Sequence, residues 1–171
     1  MKKFLLGLTI SAGFLACNSS TPAVIEQTTR AVGTTFTVAA SGATWTSPAQ
    51  VSAYAISPGF KAGDKILFKA GETFTGAIWF KPNNPGSSAN PIIVGSYILN
   101  SSNAVQMITG STDTRRATLQ INDVTQSGMY LENVGGYDIS HLFVRGPGIY
   151  SSQGDGIVAY NYLAGNVKLD F

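Results

Sequence analysis

Three observations on the sequence predict an all-β chain of short parallel strands stacked in coils. Short apolar runs, rich in β-branched and aromatic residues, recur along most of the chain without helical spacing. Gly, Asn, Ser and Pro, the residues of turns, fill the intervals. The third is a repeat. "SGMYLENVGGYDISH" lies over "DGIVAYNYLAGNVKLDF" with Gly128 on Gly156, Met129 on Ile157, Leu131 on Ala159 and Asn133 on Asn161. Two residues of slack then bring Tyr137 to Val167 and Ile139 to Leu169. A 28–30-residue period holds about three short strands, the content of one coil of a parallel β-helix, and stacking covers the faces that one coil leaves open. Asn133 over Asn161 fits a row of amide hydrogen bonds at a turn.

The composition agrees. Of 171 residues, 44% are apolar, enough for the core of one domain, whereas 12% are charged and 19 are Gly. The charged share is about half the usual one, and Gly, Ser, Thr and Asn supply polarity instead, as in β-rich exported proteins. The formal charge of +2 rests on 11 basic and 9 acidic residues; without Lys2 and Lys3 the two are equal. No basic stripe is present, so nucleic acid is not an expected partner.

At the N-terminus, "MKK" and the apolar "FLLGLTISAGFLA" (4–16) form a signal peptide over residues 1–16. The apolar run is too short to span a bilayer, which needs roughly 20 residues. Cys17, the sole cysteine, follows Ala16 and has no disulfide partner in the chain. "FLAC" resembles a bacterial lipobox, with Phe14 replacing the usual aliphatic residue. The resemblance implies lipidation of Cys17, with residues 17–33 as a flexible tether on a cell-surface or outer-membrane lipoprotein. Ordinary cleavage near Ala16 would leave a periplasmic or secreted protein.

From Thr34 the elements follow in order. "TTFTVAA" is β-prone with Phe36 and Val38 on one face. Ser47 and Pro48 open a short helix, as N-cap and N1. Pro58, Gly59 and Gly63 end it. Strand-like runs follow at 66–68, 77–80, 91–95, 105–108, 117–121, 129–131, 137–144, 156–160 and 166–171. Alternation turns Ile66, Phe68, Ile78, Phe80, Ile92, Val94, Leu119, Ile121, Met129, Leu131, Ile139 and Ile157 inward, and Trp79 outward.

The stretch "GDKILFKAGETFTGAIWFKPNNPGSSANPIIVGSY" resembles the N-terminal coils of right-handed parallel β-helix proteins of the pectate-lyase-like superfamily. The shared features are the Gly63-Asp64 turn, a Gly-bounded strand from Gly71 to Phe80, and the strand from Asn90-Pro91 to Tyr97. The helix from about Ser47 to Ala55 stands where family members have a capping helix. The resemblance, over residues 34–171, implies a right-handed solenoid, monomeric at full length. It implies a polysaccharide partner, and a polysaccharide lyase on acidic uronate glycans as the leading function. The alternative is a non-catalytic surface β-helix that binds glycan or acts as an adhesin. The chain stops within the strand-like "NVKLDF", so a solenoid truncated at Phe171, with its catalytic coils further on, is expected.

A uronate lyase must neutralise a carboxylate, in this family often with Ca²⁺, and must remove the C5 proton with Lys, Arg or His. A glycoside hydrolase needs carboxylates about 5–9.5 Å apart. The period sets Asp138 over Lys168, Glu132 over Tyr160 and Asp155 over Ser127, so no carboxylate ladder, no Ca²⁺ site and no catalytic residue is identified. Gly154-Asp155-Gly156 and Gly63-Asp64 read as turns, and His141, the sole histidine, as part-buried at a turn rather than a base. Candidate sugar-binding residues are Trp79, by stacking, and Arg115 and Arg116, by gripping carboxylates. The alternatives are an indole covered by the loop after Lys81 and solvated loop charge.

Overall fold

The computed structural model describes residues 32–146, apart from 83, 85, 111 and 124, and residues 156–160. Cys17, the signal peptide and the run 166–171 lie outside them, as do Asp155, Asn161 and Lys168. The elements are β1 (Thr35–Val38), α1 (Pro48–Ile56), β2 (Lys65–Lys69), β3 (Thr73–Thr75), β4 (Ile78–Phe80), β5 (Ile92–Leu99), β6 (Val105–Met107), β7 (Ala117–Gln120), β8 (Met129–Glu132), β9 (Tyr137–Ile139), β10 (Leu142–Arg145) and β11 (Ile157–Tyr160).

They form three sheets in which every pairing but one is parallel. The first runs β1-β2-β5, with β9 beside the start of β5. The second is β3-β7-β10 and the third β4-β8-β11. The chain visits them in rotation: β2, β3, β4, then β5, β7, β8, then β9, β10, β11. This all-β, parallel arrangement is compatible with a β-solenoid. Met129 pairs with Ile157 and Leu131 with Ala159, the 28-residue repeat read from the sequence.

The inner faces of all three sheets meet in one core containing Ile66, Phe68, Phe74, Ile78, Phe80, Leu119 and Met129. Ten of the twelve residues expected inside are buried. Ile139 is only partly buried, and Ile157 is 37% exposed on β11, which among the described residues pairs on one side only. Rings of Phe36, Trp45, Tyr54 and Phe60 cluster beside β1, and Phe60 continues through Phe80 to Tyr137 at centroid spacings of 6.0 and 4.9 Å.

The helix is too short to be stable alone. It persists by burying Val51 and Ala55 and by covering the edge of β4, where Ser52 Oγ accepts the Trp79 N–H at 3.1 Å. Ser47 occupies the N-cap, but its side chain makes no capping bond; Gln50 Oε1 instead accepts the Thr46 N–H at 2.7 Å.

Two strand expectations need correction. The run from Gly71 to Phe80 is not one strand: at Gly76, φ +122°, it turns a corner between β3 and β4, which belong to different sheets. The run at 105–108 is not a coil strand, because β6 folds back antiparallel on β5. The outer face there carries the apolar Leu67, Ile93 and Tyr97, and Val105 and Met107 of β6 line a groove with Leu67. Ile108, just after β6, is 4% exposed. Ser96 Oγ pins the excursion, accepting the Ala117 N–H at 2.9 Å and donating to the His141 carbonyl.

Candidate functional site

On the second sheet, Phe74, Ala117 and Leu119 point inward, leaving two rows outside. Thr73, Thr118 and Phe143 form one, and Thr75, Gln120 and Arg145 the other. Phe143 is 53% exposed. The loop before β7 adds two arginines, and Gly71, Arg115, Arg116, Thr118, Phe143 and Arg145 line an open groove of about 440 Å³.

Asp113 organises the arginines. Its carboxylate accepts Arg115 Nε at 3.0 Å, Nη2 at 2.6 Å and the Arg115 backbone N–H at 3.0 Å, while its carbonyl accepts Arg116 Nη1. The hydrogen bonds from Arg115 pull the Asp113 carboxyl down to about 2. Arg145 has no ion-pair partner among the described residues. The groove is thus lined by three arginines, of which, among the described residues, only Arg115 is paired to a carboxylate, beside an exposed aromatic ring. That combination suits a ligand with carboxylates and apolar ring faces.

Trp79 is outward, as the alternation requires, and 41% exposed, but on the third sheet. Its ring lies 4.5 Å from that of Tyr130, with Lys81 Nζ 4.8 Å from its centroid and Lys81 paired to Glu132. It does not line the arginine groove. Arg115 and Arg116 therefore come together with Arg145 and Phe143, not with Trp79. Sequence reasoning missed that second pair because 137–144 was read as a single run. The outward alternation of "LFVR" (142–145) was the available signal.

The other acids and the histidine weighed from the sequence have structural contacts, although His141 Nδ1 and the Tyr137 hydroxyl are buried without a hydrogen-bond partner among the described residues. His141 sits at φ +59° in the turn before β10, partly buried, its Nε2 3.3 Å from the Gly110 carbonyl oxygen. Asp64, 4% exposed, accepts the Thr34 and Lys61 N–H groups at 2.8 Å each and closes the Gly63 turn. Asp123 accepts from Thr125, whose bonds lower its pKa. Glu132 lies beside Tyr160, as the period required. Among the described residues no three His, Cys, Asp or Glu side chains gather, so this donor set does not fit the Ca²⁺ that the family resemblance suggests. In the groove the available counter-charge is arginine. Compared with protein-family models and with curated proteins, the chain matches none.

Proposed function

We propose that the chain belongs to an exported right-handed parallel β-helix protein that acts on acidic polysaccharide, with the arginine groove holding uronate carboxylates. The rotation of the chain through three parallel sheets around one core supports the solenoid, and parallel crossovers are right-handed in nearly all proteins. Export and anchoring through Cys17 rest on the N-terminal signal pattern. The observation that carries the function is the cluster of Arg115, Arg116 and Arg145 around exposed Phe143. Guanidiniums grip a carboxylate in two-pronged fashion and offset its charge, which eases loss of the neighbouring C5 proton in a lyase. A non-catalytic glycan-binding β-helix is the second reading. It is favoured because Arg115 is tied to Asp113 and because His141, the one histidine, is not among the groove-lining residues.

Binding of oligogalacturonate by the chain, followed calorimetrically, tests the reading. Arg145→Gln is expected to weaken binding about tenfold or more, the loss of one charge-assisted contact. Lys65→Gln, on the first sheet, should leave it unchanged. Equal affinities in wild type and Arg145→Gln would overturn the assignment. In the full-length protein, unsaturated-product absorbance on pectate or alginate selects the lyase; binding without it selects the second reading.

A further inference from the structure

Building on that reading, we propose that the outer face of the second sheet takes a mixed polysaccharide, a uronate at its arginine end beside a neutral sugar at its threonine end. A second open groove, of about 320 Å³, lies along β3, at the edge of that sheet, lined by Thr46, Ser47, Glu72, Thr73, Phe74 and Thr75 among others. Its lining residues neighbour those of the arginine groove. Gly71 lines one and Glu72 the other, and Thr73 of the second groove pairs with Thr118 of the first. Neighbouring strands are about 4.8 Å apart, so the wall from β3 to β10 spans roughly 10 Å, room for adjacent sugars of one chain.

The two ends differ in charge. Among the described residues, no Lys, Arg or His lines the second groove, and its one charged lining residue is Glu72. That carboxylate is fixed, with Oε1 3.0 Å from Lys69 Nζ and Oε2 accepting the Ala40 N–H at 2.8 Å. A uronate there would meet a like charge and no lining cation. A neutral sugar would meet the hydroxyls of Ser47, Thr73 and Thr75, each both donor and acceptor, and that of Thr46, which donates to Gln50 Oε1 and keeps its acceptor side. A polymer with a uronate at every position would therefore satisfy one end and be repelled at the other.

The test compares three probes of equal length on the full chain: oligogalacturonate, an alternating glucuronate–N-acetylglucosamine oligomer, and a chitin oligomer. The alternating probe is expected to bind about tenfold tighter than oligogalacturonate, and the chitin oligomer weakest. Glu72→Gln keeps an acceptor for Ala40 while removing the charge. It should raise oligogalacturonate affinity severalfold and leave that of the alternating probe within about twofold. Oligogalacturonate binding as tightly as the alternating probe, with no response to Glu72→Gln, overturns the proposal. If Arg145→Gln still weakens binding in that case, the arginine groove stands and only the mixed-polymer inference falls. If no arginine matters, both fall.

Discussion

Asn84, 1% exposed, ties three parts of the chain with one amide. Its Oδ1 accepts the Phe60 N–H at 2.6 Å, and its Nδ2 donates to the Ala55 and Lys81 carbonyls at 2.9 and 2.7 Å. Asn84→Ala would leave buried backbone groups unpaired at the end of α1 and should cost about 3 kcal/mol in urea unfolding. A loss under about 1 kcal/mol would show that those groups find other partners. Asp113 makes a prediction in pH. Its pKa is depressed on folding, so its hold on Arg115 is present above the ordinary carboxylate value of 3.8 and is lost only as pH falls through about 2. A sugar carboxylate titrates at about 3–4, before the loop lets go. Affinity for oligogalacturonate at constant ionic strength should be flat from pH 5 to 8 and fall with a midpoint near that of the ligand. A midpoint near 6 would mean that some other group governs binding.

Between elements, glycines decide how closely coils approach. A Cβ on Gly128 would lie 2.2 Å from Val144 Cγ1 and 2.6 Å from the Gly156 carbonyl oxygen. Gly128 accepts the Ile78 N–H at 3.0 Å, while Gly156 accepts the Met129 N–H at 3.1 Å, so neither strand can retreat without losing the ladder. Gly71 contrasts with it: φ is +84°, but nothing lies within 4 Å of the added atom. Gly71→Ala should cost about 1 kcal/mol for backbone strain alone. Gly128→Ala should cost more, about 2–3 kcal/mol, because backbone and a packed methyl must move. Chemical denaturation that ranks the two equally would argue against close stacking of β8 and β11.

At the scale of the whole molecule, the charge is concentrated. A chain with equal numbers of acids and bases beyond Lys3 places three arginines around one groove on the second sheet. The proposed lipid anchor would hold that groove at a cell surface. Fatty-acid probe labelling of expressing cells should tag the wild type and not Cys17→Ser, and equal labelling would refute acylation at that residue.

Strand content, parallel stacking and most of the core were legible in the sequence, because alternation and turn residues are local properties. Phe36 with Val38, Ile78 with Phe80, and Met129 over Ile157 could be read directly. The corner at Gly76 and the antiparallel return of β6 were not legible. Each depends on which strand the chain pairs with or turns toward in three dimensions, as the pairing of β6 with β5 shows. The site divides in the same way. Arg115 and Arg116 stand out as an adjacent pair, and Trp79 follows from alternation. Arg145 and Phe143 join the arginine groove only because β10 lies beside β7, and Trp79 is kept from it because β4 belongs to another sheet. A linear chain determines which side chains face outward; the pairing of distant strands decides which of them share a groove.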